Sequence, residues 1–455
     1  MEASYARVYN FTGSAIHVKA NNNHDSDWSG KFDPHTQFDG DQGVSIADGT
    51  YHLARLLLRS GGGYSLFITV GSDSKEITFD QKKAHEDDCF YEIGAKVGGM
   101  CITVVNNWYK YKGEFKNDEN LRPLHPSNES YEDKDTEFRG TLNIYIRPTK
   151  KREINAIKFF VLSDVHIQAD REDSQSIHSY QIRDAMLRTP DYHTYDFIFL
   201  PGDLVNTTSN NYDEMYGYLW PCKEDLPNQP LLCDGFGNHD MIYSGGHSCD
   251  IAQLIRDRNT IRKNILKENI EIYDTDPCDS ANGLHYMIRT KLRETKVYFF
   301  MLNLLPTTGY GYGDDDGQIR ERNGSNALTF LKKKLSTIED KSSPVFLFHH
   351  YGFELPDSEN PNRYWSLEER QTYLAALQGY KVKGIFYGHA HVTRKDESWK
   401  NNEIRNYDPP KNIWIAGGVQ GKINGLFLSA VYPVYTINDD NLLVNVHDAT
   451  SEFVK

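Results

Sequence analysis

From residue 157 onward the chain alternates short, continuously apolar runs with stretches of helical periodicity, and nothing else in it restricts the fold so strongly. The runs are Ile157–Leu162, Phe197–Leu200, Leu231–Phe236, Val297–Leu302, Val345–Phe348, Gly384–Tyr387 and Asn412–Ala416. They are too short for buried helices and too uniformly apolar for half-exposed strands, so they are expected to be strands covered on both faces. Between them, Ile177–Leu187, Ile251–Leu266, Ala327–Leu335 and Leu367–Leu377 place apolar residues at helical spacing. Ser366 ahead of Glu368 and Glu369 marks a helix start. Strands alternating with helices imply a layered α/β domain. Near the end, Val431–Ile437 and Leu442–Val446, joined by Asn438–Asn441, read as a β-hairpin.

The first 150 residues follow another pattern. β-prone runs recur at Ala6–Phe11, Ile16–Ala20, Tyr51–Leu58, Tyr64–Val70, Glu76–Phe79, Met100–Val105 and Thr141–Ile146, with glycine-rich turns between several of them. Many short strands with such turns predict an all-β sandwich or barrel. The polar, tyrosine-rich region 107–139 reads as a long loop, and Pro148–Glu153 as a linker. The expected division is therefore a β-sandwich over 1–150 and a second domain over 151–455. A chain of 455 residues exceeds one ordinary core, which agrees with two domains.

The formal charge of −14 argues against general nucleic-acid binding, which needs clustered Lys and Arg. It leaves room for a small anionic substrate if bound metals set the local field. No apolar run reaches the length of a membrane span, and the first residues lack the basic and apolar regions of a signal peptide. The expectation is a cytoplasmic or otherwise soluble chain, with non-classical secretion left open. Its cysteines, at 89, 101, 222, 233, 249 and 278, show no zinc-finger spacing. Free thiols are the default, with bridges among 222–278 left open.

Polar clusters stand at the ends of the apolar runs. They are Asp164-Val165-His166, Gly202-Asp203, Gly237-Asn238-His239-Asp240, His349-His350 and Gly388-His389-Ala390-His391. Ligands of open α/β sheets gather at the carboxyl ends of strands. Alternate positions such as Asp164 and His166 can turn toward one centre, and a glycine before Asp203, Asn238 and His389 lets the backbone approach it. The donors are carboxylates, imidazoles and one carboxamide, with no thiolate. That set suits Mn, Fe, Zn or Ni.

In order and spacing these clusters closely resemble the calcineurin-like metallophosphoesterase family, over about residues 160–420. The resemblance implies an α/β/β/α four-layer domain and a pair of divalent metal ions. It places Asp164, His166 and His391 on one metal, Asn238, His349 and His389 on the other, and Asp203 between them. His349 is preferred over His350 because the family ligand ends the apolar strand; His350 then lines the site. His239 would protonate the leaving oxygen while a metal-bridging hydroxide attacks phosphorus, and Asp240 would orient His239. Gly317-Gln318 and Trp414–Gly418 are further family-like stretches.

Two departures narrow the branch. Purple acid phosphatases carry a tyrosine where this chain has Asn206, and the calcineurin-type Ser/Thr phosphatases continue past the bridging aspartate with an Asp-Arg-Gly stretch absent here. The implied substrate is a phosphate mono- or diester of a small molecule, or a phospholipid headgroup. Val8–Val18 resembles the opening of aegerolysin-like lipid-binding sandwiches. On that likeness residues 1–150 would make peripheral membrane contact; glycan or protein contact, or a simple packing role, are the alternatives. Asp314–Asp316 reads as a solvated acidic loop, Lys332–Lys334 as a solvated helix face, and Gly309–Gly313 as a candidate cover for the site.

Overall fold

The computed structural model describes residues 2–20, 43–58, 63–80, 93–106, 109–110, 138–139, 141–151, 153, 155–166, 182–205, 229–235, 237, 240, 259–260, 270–274, 285–302, 327–352, 367–397, 412–417, 426–433 and 442–449. The described chain is rich in β-structure, with several sheets, some of them mixed, and few helices. Among the described residues no helix is long and apolar enough to cross a membrane.

Two sheets carry the second part of the chain. A five-stranded sheet runs Leu231–Asp234, Phe197–Leu200, Ala156–Val161, Leu426–Pro433, Leu443–Asp448. A seven-stranded sheet runs Ile270–Asp274, Tyr286–Leu292, Thr295–Leu302, Pro344–His349, Lys381–Tyr387, Ile413–Ala416, Thr393–Lys395. The strands read from the sequence as buried on both faces pair in parallel within each sheet. The antiparallel strands Ile270–Asp274 and Tyr286–Leu292, at one margin of the seven-stranded sheet, were not among the expected runs. The terminal hairpin forms, but its first strand is Leu426–Pro433 rather than Val431–Ile437. Residues 434–441 lie outside the described residues.

Phenylalanine fills the space between the two sheets. Phe159 of the first sheet meets Phe199, Phe299, Phe346, Phe348 and Phe386 edge-on, at centroid distances between 5.5 and 5.9 Å. Edge-to-face contact of this kind adds to the gain from burying the rings. The seven-stranded sheet keeps strict alternation. Phe346, Phe348 and Phe386 belong to this inter-sheet core. Val345, Leu347, Ile385 and Tyr387 belong to a second core with the helices Ala327–Leu335 and Leu367–Leu377. Lys332 and Lys333 are exposed, as the solvated-face reading expected.

The first part of the chain forms two larger sheets and a two-stranded pair of Tyr109–Lys110 with Phe138–Arg139. One orders Tyr51–Leu58, Glu2–Asn10, Thr141–Pro148, Met100–Asn106, Ile93–Val97, and the other Val44–Ile46, Ile16–Ala20, Gly63–Val70, Asp73–Asp80. Glu2–Asn10 and Thr141–Pro148 pair in parallel, joining the two ends of this region. Residues 143–147 are all buried. Asn143 Nδ2 donates to Asp184 Oδ2 at 3.1 Å, and Arg147 Nη2 to the Leu187 carbonyl at 2.6 Å. Asp184 and Leu187 lie on a helix described over 182–188. The Arg147 guanidinium sits 4.7 Å from the centroid of Tyr192 and 5.3 Å from that of Tyr145. Tyr9 and Tyr145 join the same core cluster as Ile182 and Met186.

The expected linker is thus no free connection. Pro148 completes a strand, the Lys150 ammonium donates to the Gln229 carbonyl at 3.0 Å, and Lys151 N–H donates to the His193 carbonyl. Cys101 and Cys233 are buried. The other cysteines, the region 111–137, the helix expected at 251–266 save residues 259–260, and the stretch 303–326 lie outside the described residues.

Candidate metal centre

The backbone gives the first sign of a site. Among the described residues six non-glycine residues have positive φ: Asp164, His166, Asp203, His389, His391 and Arg293. All but Arg293 are residues singled out above as metal ligands. Their φ values run from 48° to 69°. A left-handed backbone is unfavourable for a residue with a Cβ, and such strain persists where the surroundings over-determine it. Asp164 and His166 therefore converge through loop conformation, not through strand alternation as expected.

Each loop leaves the end of a strand. Ala156–Val161 leads to Asp164 and His166, Phe197–Leu200 to Asp203, and Lys381–Tyr387 to His389 and His391. The two sheets are stitched at this end by a bridge between Ser163 and Gly417, with Ser163 N–H donating to the Ala416 carbonyl at 2.8 Å. His389 N–H reaches both oxygens of Asp164 at 3.0 Å, tying the first loop to the last.

The side chains form two donor groups. Asp164, His166, Asp203 and His391 make one, and Asp203, His350 and His389 the other; within each, the donor atoms lie within 4.8 Å of one another. Asp203 belongs to both. Its Oδ2 is 3.6 Å from His166 Nε2 and 3.2 Å from His350 Nε2. His391 Nε2 is 3.3 Å from Asp164 Oδ1. Asp164, His166, Asp203 and His350 are buried, whereas the His391 side chain is 34% exposed and forms the open edge.

His350, not His349, faces this cluster. In the strand Pro344–His349 even-numbered residues point between the sheets and odd-numbered ones toward the helices. His349 continues the odd series. Its Nδ1 pairs with the Tyr351 carbonyl at 2.7 Å, its ring lies parallel to Tyr387, and Tyr373 meets it edge-on. The next residue falls on the inter-sheet side, beside Asp203. The geometry thus sets His350, and not His349, beside Asp203. The signal was present in the run Val345-Phe346-Leu347-Phe348, but reading it needs to know which face the phenylalanines fill.

Asp240 is held by three backbone donors. Its Oδ1 accepts from the backbone N–H groups of Leu204 and Val205 at 3.1 Å, and its Oδ2 from Gly237 at 2.8 Å. It braces the chain after Asp203 against the turn at Gly237. That turn runs so close that a Cβ on Gly237 would overlap Asp203, and one on Gly388 would come within 2.6 Å of Asp164 Oδ2. Gly237 and Gly388 are required by close approach, whereas Gly202 itself has φ 132°. Asn206, Asn238 and His239 lie outside the described residues, as do His178 and His247.

The electrostatics separate the imidazoles. Burial opposes a charge on His350, but Asp203, Asp164 and Asp240 push it up to about 9. His391 is raised in the same way by Asp164 against the effect of burial. Burial holds His389 and His349 down to about 3. Burial also works against the Asp164 carboxylate, but the His391 hydrogen bond and the nearby His350 keep it below its ordinary value. Burial and Asp203 raise Asp240 to about 7, against the pull of its backbone donors. Buried carboxylates held beside imidazoles at such distances need a compensating positive charge. Divalent cations fit these oxygen and nitrogen donors and would supply it.

Comparison with known proteins agrees with this geometry. The calcineurin-like phosphoesterase family profile matches residues 157–393. A search of curated proteins finds no match. Among solved structures, a dimetal phosphatase from Danio rerio is 13% identical, with 65% of this chain and 97% of that chain covered, at a TM-score of 0.39. The purple acid phosphatase PPD1 of yellow lupin (Lupinus luteus) is 12% identical over 98% of this chain and 94% of its own, at 0.38. GAP50, the anchor in the inner membrane complex of Plasmodium, is 12% identical over 65% and 85%, also at 0.38. None of these supports the aegerolysin-like reading of Val8–Val18. The profile spans just over half of the chain and takes in most of the residues that converge on Asp203, and the chain belongs to the calcineurin-like phosphoesterase family.

Proposed function

We propose that the chain is a two-metal hydrolase of small phosphate mono- or diesters. The observation that carries this reading is Asp203, a buried carboxylate common to two donor groups. Asp164, His166 and His391 would hold one divalent ion, and His350, His389 and Asn238 the other, with Asp203 between them. His350 takes the place first given to His349. Bound there, such ions would stabilise charge on phosphoryl oxygens and lower the pKa of the attacking water.

The chain's own residues do the rest. Asp240 holds the backbone after Asp203 and at Gly237 in register. His239 would donate a proton to the leaving oxygen, a contribution of about 10²–10⁴-fold in general acid catalysis. His391, at the open edge, would meet substrate first. The architecture that suits this role is a β-sandwich over 1–150 and a four-layer α/β/β/α domain over 151–455. The contacts of Asn143, Arg147 and Lys150 support a packed first domain, a wall of the enzyme in preference to a detachable membrane-targeting module.

The test is hydrolysis of p-nitrophenyl phosphate and of its bis-ester by purified protein loaded with Mn²⁺ or Zn²⁺. Turnover of either, abolished in Asp203→Ala together with bound metal, is the expected result. Absence of turnover on both esters, with metal bound, would sink the reading. His239→Ala is expected to keep its metal and lose rate.

A further inference from the structure

Beneath the two loops that carry His350, His389 and His391 lies a tyrosine with no donor in the cluster. Tyr387 is the last residue of its strand, fully buried, and faces the helices. It stands opposite His349 in the parallel register, the two rings 6.0 Å apart and 2° from parallel. Its hydroxyl donates to Asp396 Oδ2. Asp396 follows the strand Thr393–Lys395, so this bond spans the whole loop from Gly388 to Lys395.

That loop is strained. His389 has φ 69° and His391 φ 53°. An unfavourable backbone of this kind needs its ends fixed. On the other side, Gly352 packs so closely on the Tyr387 ring that a Cβ there would overlap ring carbons. Gly352 ends the short turn that presents His350. The two loops also meet directly, with Gly388 N–H donating to the His350 carbonyl at 3.0 Å. Tyr387 thus touches the supports of both loops at once.

We propose that Tyr387 is a positioning residue, setting the spacing between His350 and the His389–His391 loop through its ring and its bond to Asp396. It touches neither substrate nor metal. The proposal rests on the two-metal reading above. Groups that orient metal ligands in this way typically change metal affinity 10–100-fold when removed.

The experiment is Mn²⁺ titration of the metal-free full chain, with affinity from chelator competition and the spin-coupled two-ion signal from electron paramagnetic resonance. Tyr387→Phe removes only the hydroxyl. It is expected to weaken affinity about tenfold or more and to replace the coupled signal with that of isolated ions. Asp396→Leu should do the same, and the double variant no worse, because both remove one bond. Asp396→Asn keeps an acceptor and should stay near wild type; as Asp396 is partly exposed, these variants test the bond if Tyr387→Phe folds poorly. Wild-type affinity and coupling in both Tyr387→Phe and Asp396→Leu would overturn the proposal, as would a lower melting temperature with affinity unchanged. If the wild type itself shows no coupled pair, the two-metal reading falls and takes this one with it.

Discussion

The molecule buries polar groups heavily in two places, and they are built on different rules. At the seam between the strand Thr141–Pro148 and the helix at 182–188, several buried groups have a partner of their own. Asn143 meets Asp184, Arg147 meets the Leu187 carbonyl and the faces of Tyr192 and Tyr145, and Tyr192 OH meets Gln229. None of these residues has a left-handed backbone. At the strand ends, by contrast, several imidazoles and carboxylates crowd toward Asp203, and the backbone is strained at five of them. Polar burial that is paired one to one holds a structure together. Polar burial that converges on one point, at a cost in backbone conformation, leaves a demand that a ligand can meet.

The contrast breaks first, if it breaks, at Asp203. Asp203→Ala removes the shared donor, and activity per mole is expected to fall by about 10³-fold or more, with loss of both metals in elemental analysis. Retention of either full metal content or rate would remove Asp203 from the centre. The seam should respond in the opposite sense. Arg147→Ala loses a charged hydrogen bond and its aromatic contacts, at about 3 kcal/mol. It should lower the melting temperature while kcat and KM of the folded fraction stay unchanged. A drop in kcat without a drop in stability would mean that the seam is part of the site.

Proton linkage sharpens the same comparison. His350 is held at about 9 by the carboxylates around it, above its unfolded value of 6.5. In the metal-free protein its charge contributes stability that is fully present below pH 6.5 and is lost as the pH rises through about 9. A metal must displace that proton. Apparent affinity should therefore climb about tenfold per pH unit between 6.5 and 9 and then level off, with about one proton released per site. Calorimetry in buffers of different ionisation enthalpy measures this, and affinity independent of pH across that window would exclude His350 as the ligand.

The smallest effect separates neighbouring histidines. His349→Phe keeps the ring against Tyr387 and loses one hydrogen bond, at about 1 kcal/mol of stability. Its metal content should be that of wild type, whereas His350→Ala should lose one ion. Metal loss in His349→Phe equal to that in His350→Ala would restore the original preference for His349.

Much of the fold after residue 155 was legible because apolar runs bounded by turns leave few options. The parallel strands stand where those runs lie, and Ile16–Ala20 and Tyr51–Leu58 match their runs in the first region. The strands Val44–Ile46, Ile270–Asp274 and Thr393–Lys395 were not legible, being short or polar and held by pairing to neighbours distant in sequence. Pro148–Glu153 looked like a linker because Pro, Lys and Arg favour exposed connections. The aromatic faces and carbonyls that pin this stretch lie on segments 40 or more residues away.

What the amino-acid order alone determined was the chemistry. Carboxylates and imidazoles at the ends of apolar runs define a family and a donor set before any coordinates exist, because the side-chain type decides what can be ligated. Tertiary structure decided which residue of a pair does it. A strand buried on both faces has no polar alternation to show which way its side chains point. Only the packing of Phe346 and Phe348 between the sheets turned His350 toward Asp203 and left His349 against Tyr387.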